Sequence, residues 1–206
     1  MVNISDDIAN RVPGIELIYA DRKVVVGKID SAVEYALTER YKQIEIGLQS
    51  VELSKLETIK YGRAAYRRLG KDPTRYRLSS EKLLRRIKKG ERVPSINNVV
   101  DVMNWLSIEL QAPIGVYDRN LIKGDVTLDF GRPGESYSCL AGYDLNLENI
   151  PLLRDDLGPF GSPTSDSIRT SITKETRHIF ACIYKFDLNA ATREYEQILV
   201  QFLNKL

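Results

Sequence analysis

Residues 95–118 constrain this chain most, because their apolar side chains recur at one helical period and then stop abruptly. Val99, Met103, Leu106 and Leu110 stand at i, i+4, i+7 and i+11, which lines them along one face of a helix. Asn98 is placed to cap the start, with Asp101 three residues on as a short-armed capping-box partner. Pro113 is the expected stop, since its ring disfavours the α conformation in the residue before it. Beside the stripe, Asn97, Asp101 and Asn104 share a face. Two readings of these polar groups stand open. They hydrogen-bond loop backbone and hold the fold together, or Asp101 and Asn104 line a pocket.

Upstream, the β-branched runs at 15–19 and 23–27 predict two short strands or a hairpin around Asp21 and Arg22. Val33, Leu37, Tyr41 and Ile44 predict an amphipathic helix over about 29–46, with Gly47 as its stop. A second helix is expected over 53–69, with Leu56, Ile59 and Tyr66 inward and Lys60, Arg63 and Arg67 in a basic row. The third, over 79–90, has a serine cap, Glu81 in its first turn and cations in its last.

Downstream, 124–129 and 136–140 read as strands joined by a turn at 131–135, and 142–155 as irregular. Residues 178–186 have the pattern of a central strand that is apolar on both faces. Asn189 then caps a helix to Leu206 with Tyr195, Ile198, Leu199, Phe202 and Leu203 as its stripe. Helices interleaved with short strands, without regular alternation, predict an α+β fold with mixed or antiparallel short-strand sheets and flanking helices.

A net charge of +2, from 30 basic and 28 acidic residues, would by itself point to no nucleic-acid partner. The distribution points the other way. Residues 52–92 hold fourteen Lys and Arg against five Asp and Glu, so this segment carries +9 and the remainder −7. Interleaved with Tyr61, Tyr66 and Tyr76, these cations suit a phosphate backbone and unstacked bases. Lys60, Arg63, Arg67, Arg85 and Arg86 are the RNA-contact candidates. The competing reading is a solvated face, with Arg85 and Arg86 paired to carboxylates.

Residues 156–177 crowd hydroxyls, glycines and prolines into a loop too specific in sequence to be low-complexity linker. Within it, Ser165, Asp166, Ser167, Arg169 and Thr170 could hold an amino acid, a ribose or a phosphate. Equally, the loop could be stitched to the body by its own side chains. Cys139 and Cys182 lack CxxC spacing and the single histidine, His178, completes no zinc set, so no metal or cofactor is expected. Buried reduced thiols are expected instead. There is no GxSxG elbow. The amino terminus is acidic without an apolar signal core, and no window approaches about 18 consecutive apolar residues, so a soluble cytoplasmic protein without a membrane partner is expected.

The pattern INNVVDVMNWLSIELQAPIGVYD resembles the third and fourth modules of the phenylalanyl-tRNA synthetase beta subunit, the domain that edits mischarged tRNA. RYRLSSEKLLRRIKKG before it and GPFGSPTSDSIRTSITKETR after it resemble free-standing proteins built from that domain alone. The resemblance covers about residues 60–186 and implies one domain over 1–206, with 1–59 as an N-terminal scaffold and 187–206 as a C-terminal helix. It also implies tRNA or aminoacyl-tRNA as the partner, with hydrolysis of the mischarged ester in trans as the activity. The alternatives are a tRNA-binding module without chemistry and a binder of amino-acid-like small molecules that kept only the pocket. Nothing resembles an aminoacylation domain, which excludes a complete synthetase.

In that family a histidine stands two residues after the proline, and a threonine precedes the helix asparagine. Here those positions hold Gly115 and Met103, while Asn104 keeps its place. Gly115 therefore joins the pocket candidates as a lost polar wall. The pocket reading requires Asn104 and residues 165–170 to converge on one hollow.

Overall fold

Alternation along the strand at 178–185 divides the molecule into two cores. The computed structural model describes residues 1–186 and 191–206. In chain order the elements are β1 (Val2–Ile4), α1 (Asp6–Arg11), β2 (Glu16–Lys23), α2 (Ser31–Leu48), α3 (Glu57–Arg68), α4 (Ser79–Lys88), α5 (Asn98–Leu110) and β3 (Ile114–Asp118). They continue through β4 (Val126–Phe130), β5 (Ser136–Ser138), β6 (Asp144–Asn146), β7 (Pro151–Asp155), β8 (Gly158–Gly161), β9 (His178–Lys185) and α6 (Thr192–Leu203).

β9 is the middle of a three-stranded antiparallel sheet, ordered β2-β9-β3. A second, four-stranded sheet runs β1-β4-β7-β8, with β1 parallel to β4 and the other pairs antiparallel. β5 and β6 form a separate hairpin. Short mixed and antiparallel sheets with flanking helices make this an α+β fold, the class the sequence predicts.

Successive strand side chains point to opposite faces. Ile179, Ala181 and Ile183 therefore enter one core with Val99, Val102, Met103 and Leu106 of α5 and Tyr195, Leu199 and Leu203 of α6. Phe180, Cys182 and Tyr184 enter the other, with Tyr117 of β3, Phe160 of β8, Leu128 of β4, and Ile59, Tyr66 and Leu84 of α3 and α4. Each fully buried Ile, Leu, Val, Met or Phe among them contributes about 1.5–3 kcal/mol relative to exposure. Both faces of β9 are thus fixed, and a one-residue slip would exchange them.

The ends of α5 differ from expectation. Asn97 caps it, accepting from the Val100 N–H at 2.9 Å. Asn98 instead ties down the preceding chain, accepting from the Gly27 N–H and donating to the Val25 carbonyl, both at 3.0 Å. At the other end Gln111 turns left-handed at φ 54, closing the helix before Pro113.

Elsewhere, long-range pairing overrides local signals. Residues 16–23 form one strand, not two, because all eight pair with β9 from Glu16↔Lys185 to Lys23↔His178. α2 runs past Gly47 to Leu48. The helix expected over 53–69 is split into a 3₁₀ turn at Leu53–Lys55 and α3. α4 has no serine cap: Leu78 holds the cap position, and the Ser79 N–H donates to the Pro163 carbonyl at 2.7 Å.

β5 pairs with β6 and not with β4, so residues 142–155 are not irregular but supply β6 and β7. Asn189 lies outside the described residues. Among those described, no helix is long and apolar enough to cross a membrane.

Candidate functional site

The hydroxyl-rich loop is anchored largely by its own side chains. Ser162 Oγ donates to the Ser165 carbonyl at 2.9 Å and accepts from the N–H groups of Thr164 and Ser165. The same Ser165 carbonyl accepts the Tyr137 hydroxyl at 2.6 Å. Ser167 Oγ caps the 3₁₀ turn Ile168–Thr170 by accepting from the Arg169 N–H. Thr170 is fully buried, and its hydroxyl has no partner among the described residues.

Arg169 forks onto Asp155 at 2.9 and 3.1 Å and donates to the Gly158 carbonyl at 3.1 Å. Burial pushes the Asp155 carboxyl up, but the Arg169 fork and the N–H groups of Lys123 and Leu157 outweigh it and hold the group below its ordinary value. Arg169 is therefore committed to structure along its inner edge.

Asp166 differs. Its Oδ1 accepts the Tyr117 hydroxyl at 2.7 Å and the Ser162 N–H at 3.1 Å, while Oδ2 accepts no hydrogen bond from a described residue. Burial pushes this carboxyl up to about 7 against the opposing pull of those two donors and of Lys82. Lys82 stands on α4 with its Nζ donating to the Thr164 carbonyl at 2.9 Å; burial, and the nearby Arg77 charge, lower its pKa.

Tyr117 is the pivot of this network. It is fully buried, meets the Tyr184 hydroxyl at 3.0 Å and packs edge-on against Phe160 with ring centroids 5.0 Å apart. Gly115 on its own strand and Gly161 on β8 flank it, and a Cβ at either would collide with the Tyr117 phenol. The position where the resemblance implies a polar wall is thus filled by a tyrosine. Burial, with Asp166 close by, raises the Tyr117 and Tyr184 hydroxyls well above the ordinary phenol value, so both remain protonated donors.

Asn104 does not join this network. The α5 stripe packs on the Ile179, Ala181 and Ile183 face of β9, whereas Asp166 hangs from Tyr117 and Tyr184 on the other. The Asn104 side chain makes no hydrogen bond to a described residue. No hydrogen bond or ion pair among the described residues joins Asn104 to residues 165–170, so the structure does not bring the two together as the expected single hollow requires.

Asp101 stitches the loop before its helix, accepting from Ser95 Oγ at 2.6 Å and the Ile96 N–H at 2.8 Å. It also borders a groove of about 720 Å³ between α2 and residues 90–95, whose lining includes neither Asn104 nor residues 165–170.

The basic helices divide in two. Glu81 is fully buried and gathers three arginines: Arg63 Nη1 at 3.0 Å, Arg85 Nη2 at 2.9 Å and Arg77 Nε at 3.5 Å. Arg63 and Arg85 are therefore internal partners along one edge. Arg86 reaches the Arg92 carbonyl at 3.2 Å and Glu91 at 3.5 Å. Lys60 and Arg67, with Arg68, are exposed and form no ion pair among the described residues. Lys71 and Arg75 stand 5.0 and 5.8 Å from the Tyr76 ring.

Sequence reasoning missed Tyr117, Tyr184 and the role of Glu81. Only for Glu81 was a local signal present, since Arg85 lies four residues on along the same helix face and Arg77 four residues back in the lead-in to that helix. Cys139 and Cys182 are buried free thiols.

Known proteins share sequence and fold with this chain. Two phenylalanine–tRNA ligase beta subunits are similar in sequence. That of Legionella pneumophila (strain Lens) is 27% identical over 97 residues, 46% of this chain and 12% of the relative. That of Mycobacterium leprae (strain TN) is 36% identical over 61 residues, 30% of this chain and 7% of the relative. The chain thus spans only a small part of the curated relatives it matches.

An N-terminal fragment of the phenylalanyl-tRNA synthetase beta-subunit from Pyrococcus horikoshii shares the fold, with a TM-score of 0.51 at 14% identity, over 100% of this chain and 48% of that one. The family model described as the B3/4 domain matches residues 62–200. With two thirds of its length inside that match, the chain belongs to the B3/4 domain family.

Proposed function

We propose that this chain is a cytoplasmic tRNA-binding module, a single B3/4 unit that meets the phosphate backbone through the outward side of α3 and the turn after it. The observation that carries the reading is the row of exposed cations on α3, Lys60, Arg67 and Arg68, which form no close ion pair among the described residues, Asp72 acting on Arg67 only through space; Lys71 and Arg75 continue it around Tyr76. Positive charge beside a partly exposed aromatic ring suits a phosphodiester chain with an unpaired base. Arg86, whose pairing with Glu91 is exposed, adds a further accessible cation at the end of α4. Membership of the B3/4 family supports tRNA as the nucleic acid in question.

Trans-hydrolysis of a mischarged aminoacyl ester is the second reading, and Asp166 is what favours it. A carboxyl near neutrality with one oxygen unbonded can accept a proton from water as that water attacks the ester carbonyl, releasing the amino acid and the tRNA hydroxyl. The aminoacyl group would have to approach from the Asp166 and Ser165 side, because Tyr117 fills the space over Gly115. Among the pocket candidates this reading uses Ser165, Asp166 and Gly115. Ser167, Arg169 and Thr170 support the loop, and Asn104 and Asp101 take no part.

The test is one preparation with two readouts. Tight tRNA binding that falls at least about tenfold in a Lys60→Glu, Arg67→Glu, Arg68→Glu variant supports the module. Release of amino acid from a panel of mischarged tRNAs, lost in Asp166→Asn with binding retained, adds the chemistry. Unchanged affinity in the triple variant removes the α3 surface from the account.

A further inference from the structure

Glu81 is fully buried yet answers three guanidiniums, so the three arginines outnumber the one carboxylate they pair with; the next carboxylate, Asp72, is exposed and acts through space on Arg63. Arg77, Glu81 and Arg85 are spaced i, i+4, i+8 on one face of α4 and its lead-in, and Arg63 reaches across from α3. The Glu81 oxygens are spent on Arg63, at 3.0 and 3.2 Å, and on Arg85, whose Nε donates at 3.0 Å. Arg77 gets the remainder: its buried Nε stands 3.5 Å from Glu81 without forming a hydrogen bond, and its two Nη groups bond no described residue.

Exposure rises outward through the cluster, from 11% for the Arg63 side chain to 29% for Arg77 and 44% for Arg85. Lys82 adds a fourth cation close to Arg77. An ion pair made only for stability would match charges one to one, since uncompensated charge near the interior costs free energy.

We propose that Arg77 and Arg85, oriented from behind by Glu81, form a seat for a phosphate group, and that its occupant is a phosphodiester of the bound RNA. This rests on the tRNA-binding reading above and names the place where that RNA is gripped. Glu81 does not touch the ligand. It is a positioning residue that fixes two planar donors before binding, so that little side-chain freedom is lost when the phosphate arrives. The outward Nη groups of Arg77 present a fork to two phosphate oxygens, and the outer edge of Arg85 closes the seat from the next turn of α4.

The experiment compares wild type with Arg77→Gln and with Arg77→Gln, Arg85→Gln, measuring tRNA affinity across a potassium chloride series and thermal unfolding with and without inorganic phosphate. Arg77→Gln leaves Glu81 held by Arg63 and Arg85, so it keeps the fold even if the double variant does not. The expected result is a loss of about 3- to 10-fold in tRNA affinity for the single variant, with the slope of log K against log salt shallower by about 0.7–0.9.

Unchanged affinity and slope in Arg77→Gln, in a protein that does bind tRNA, overturns the seat and leaves the module reading standing. If wild type binds no tRNA but inorganic phosphate raises its melting temperature and Arg77→Gln abolishes that rise, the phosphate seat stands for a free anion and the RNA reading falls. Response to neither ligand overturns both.

Discussion

The Tyr117 phenol occupies the space above Gly115, so that a side chain at 115 and a tyrosine at 117 exclude one another. Both residues project from the same face of β3 toward Cys182 and Tyr184 of β9. Gly115→Ala is therefore expected to destabilise the protein by about 1–3 kcal/mol through overpacking. In a Tyr117→Leu background the same substitution should cost clearly less, because the two sites share one volume. Urea unfolding of the four proteins measures the coupling, and additive costs would show that the phenol is not what forbids the side chain.

Asp166 gives the protein a pH dependence of known sign. Its folded-state pKa is pushed up to about 7, well above the ordinary carboxylate value, so the native state binds the proton more tightly than the unfolded chain. Its stabilising contribution is complete below about pH 4 and is lost as pH rises through 7. Asp166→Asn keeps an acceptor for Tyr117 and removes the charge. The variant is expected to gain on wild type by about 1–3 kcal/mol between pH 5 and pH 8, less than a fully enclosed carboxyl would give because one oxygen stays open. Asp155 and Glu109, both held below their ordinary values, titrate the other way in both proteins, so the difference between the two denaturation curves is the relevant quantity. A difference that does not change with pH would contradict the account.

Glu81 is the other high-stakes charge. Glu81→Gln leaves three guanidiniums facing one another around a neutral amide and should cost about 3–5 kcal/mol, the range for removing one partner of a buried ionic network. Thermal or urea denaturation reads it directly. A loss below about 1 kcal/mol would mean that water already shields the cluster.

Asn104 and Arg169 should behave oppositely. Asn104→Ala removes no hydrogen bond to a described residue and is expected to change stability by no more than about 0.5 kcal/mol. Arg169→Ala strands Asp155, whose side chain is 0% exposed, and should cost about 2–4 kcal/mol. The double variant should be additive, since the two residues share no hydrogen-bond or ion-pair partner among the described residues. Strong coupling would revive the shared hollow that the structure does not form.

What could be read in advance follows from how local each signal is. The α5 stripe and the two-faced β9 strand were legible because period 3.6 and period 2 survive any tertiary arrangement. The single strand Glu16–Lys23 was not, because only its eight-residue partner overrides the polar Asp21 and Arg22. The sequence identified the loop with Asp166 but not its supports, since Tyr117, Tyr137 and Tyr184 are distant in sequence and their hydroxyls look like ordinary strand tyrosines. The basic segment was visible as composition. Which of its arginines are spent on Glu81 depended on the crossing of α3 and α4, which no spacing rule supplies.

The most direct measurement of the central claim is the affinity of the intact chain for tRNA as a function of salt. The account expects binding at about 50 mM potassium chloride, with log K falling linearly against log salt at a slope of about −3 or steeper, as several phosphate contacts require. Absence of binding at that salt, or affinity indifferent to it, would contradict the account.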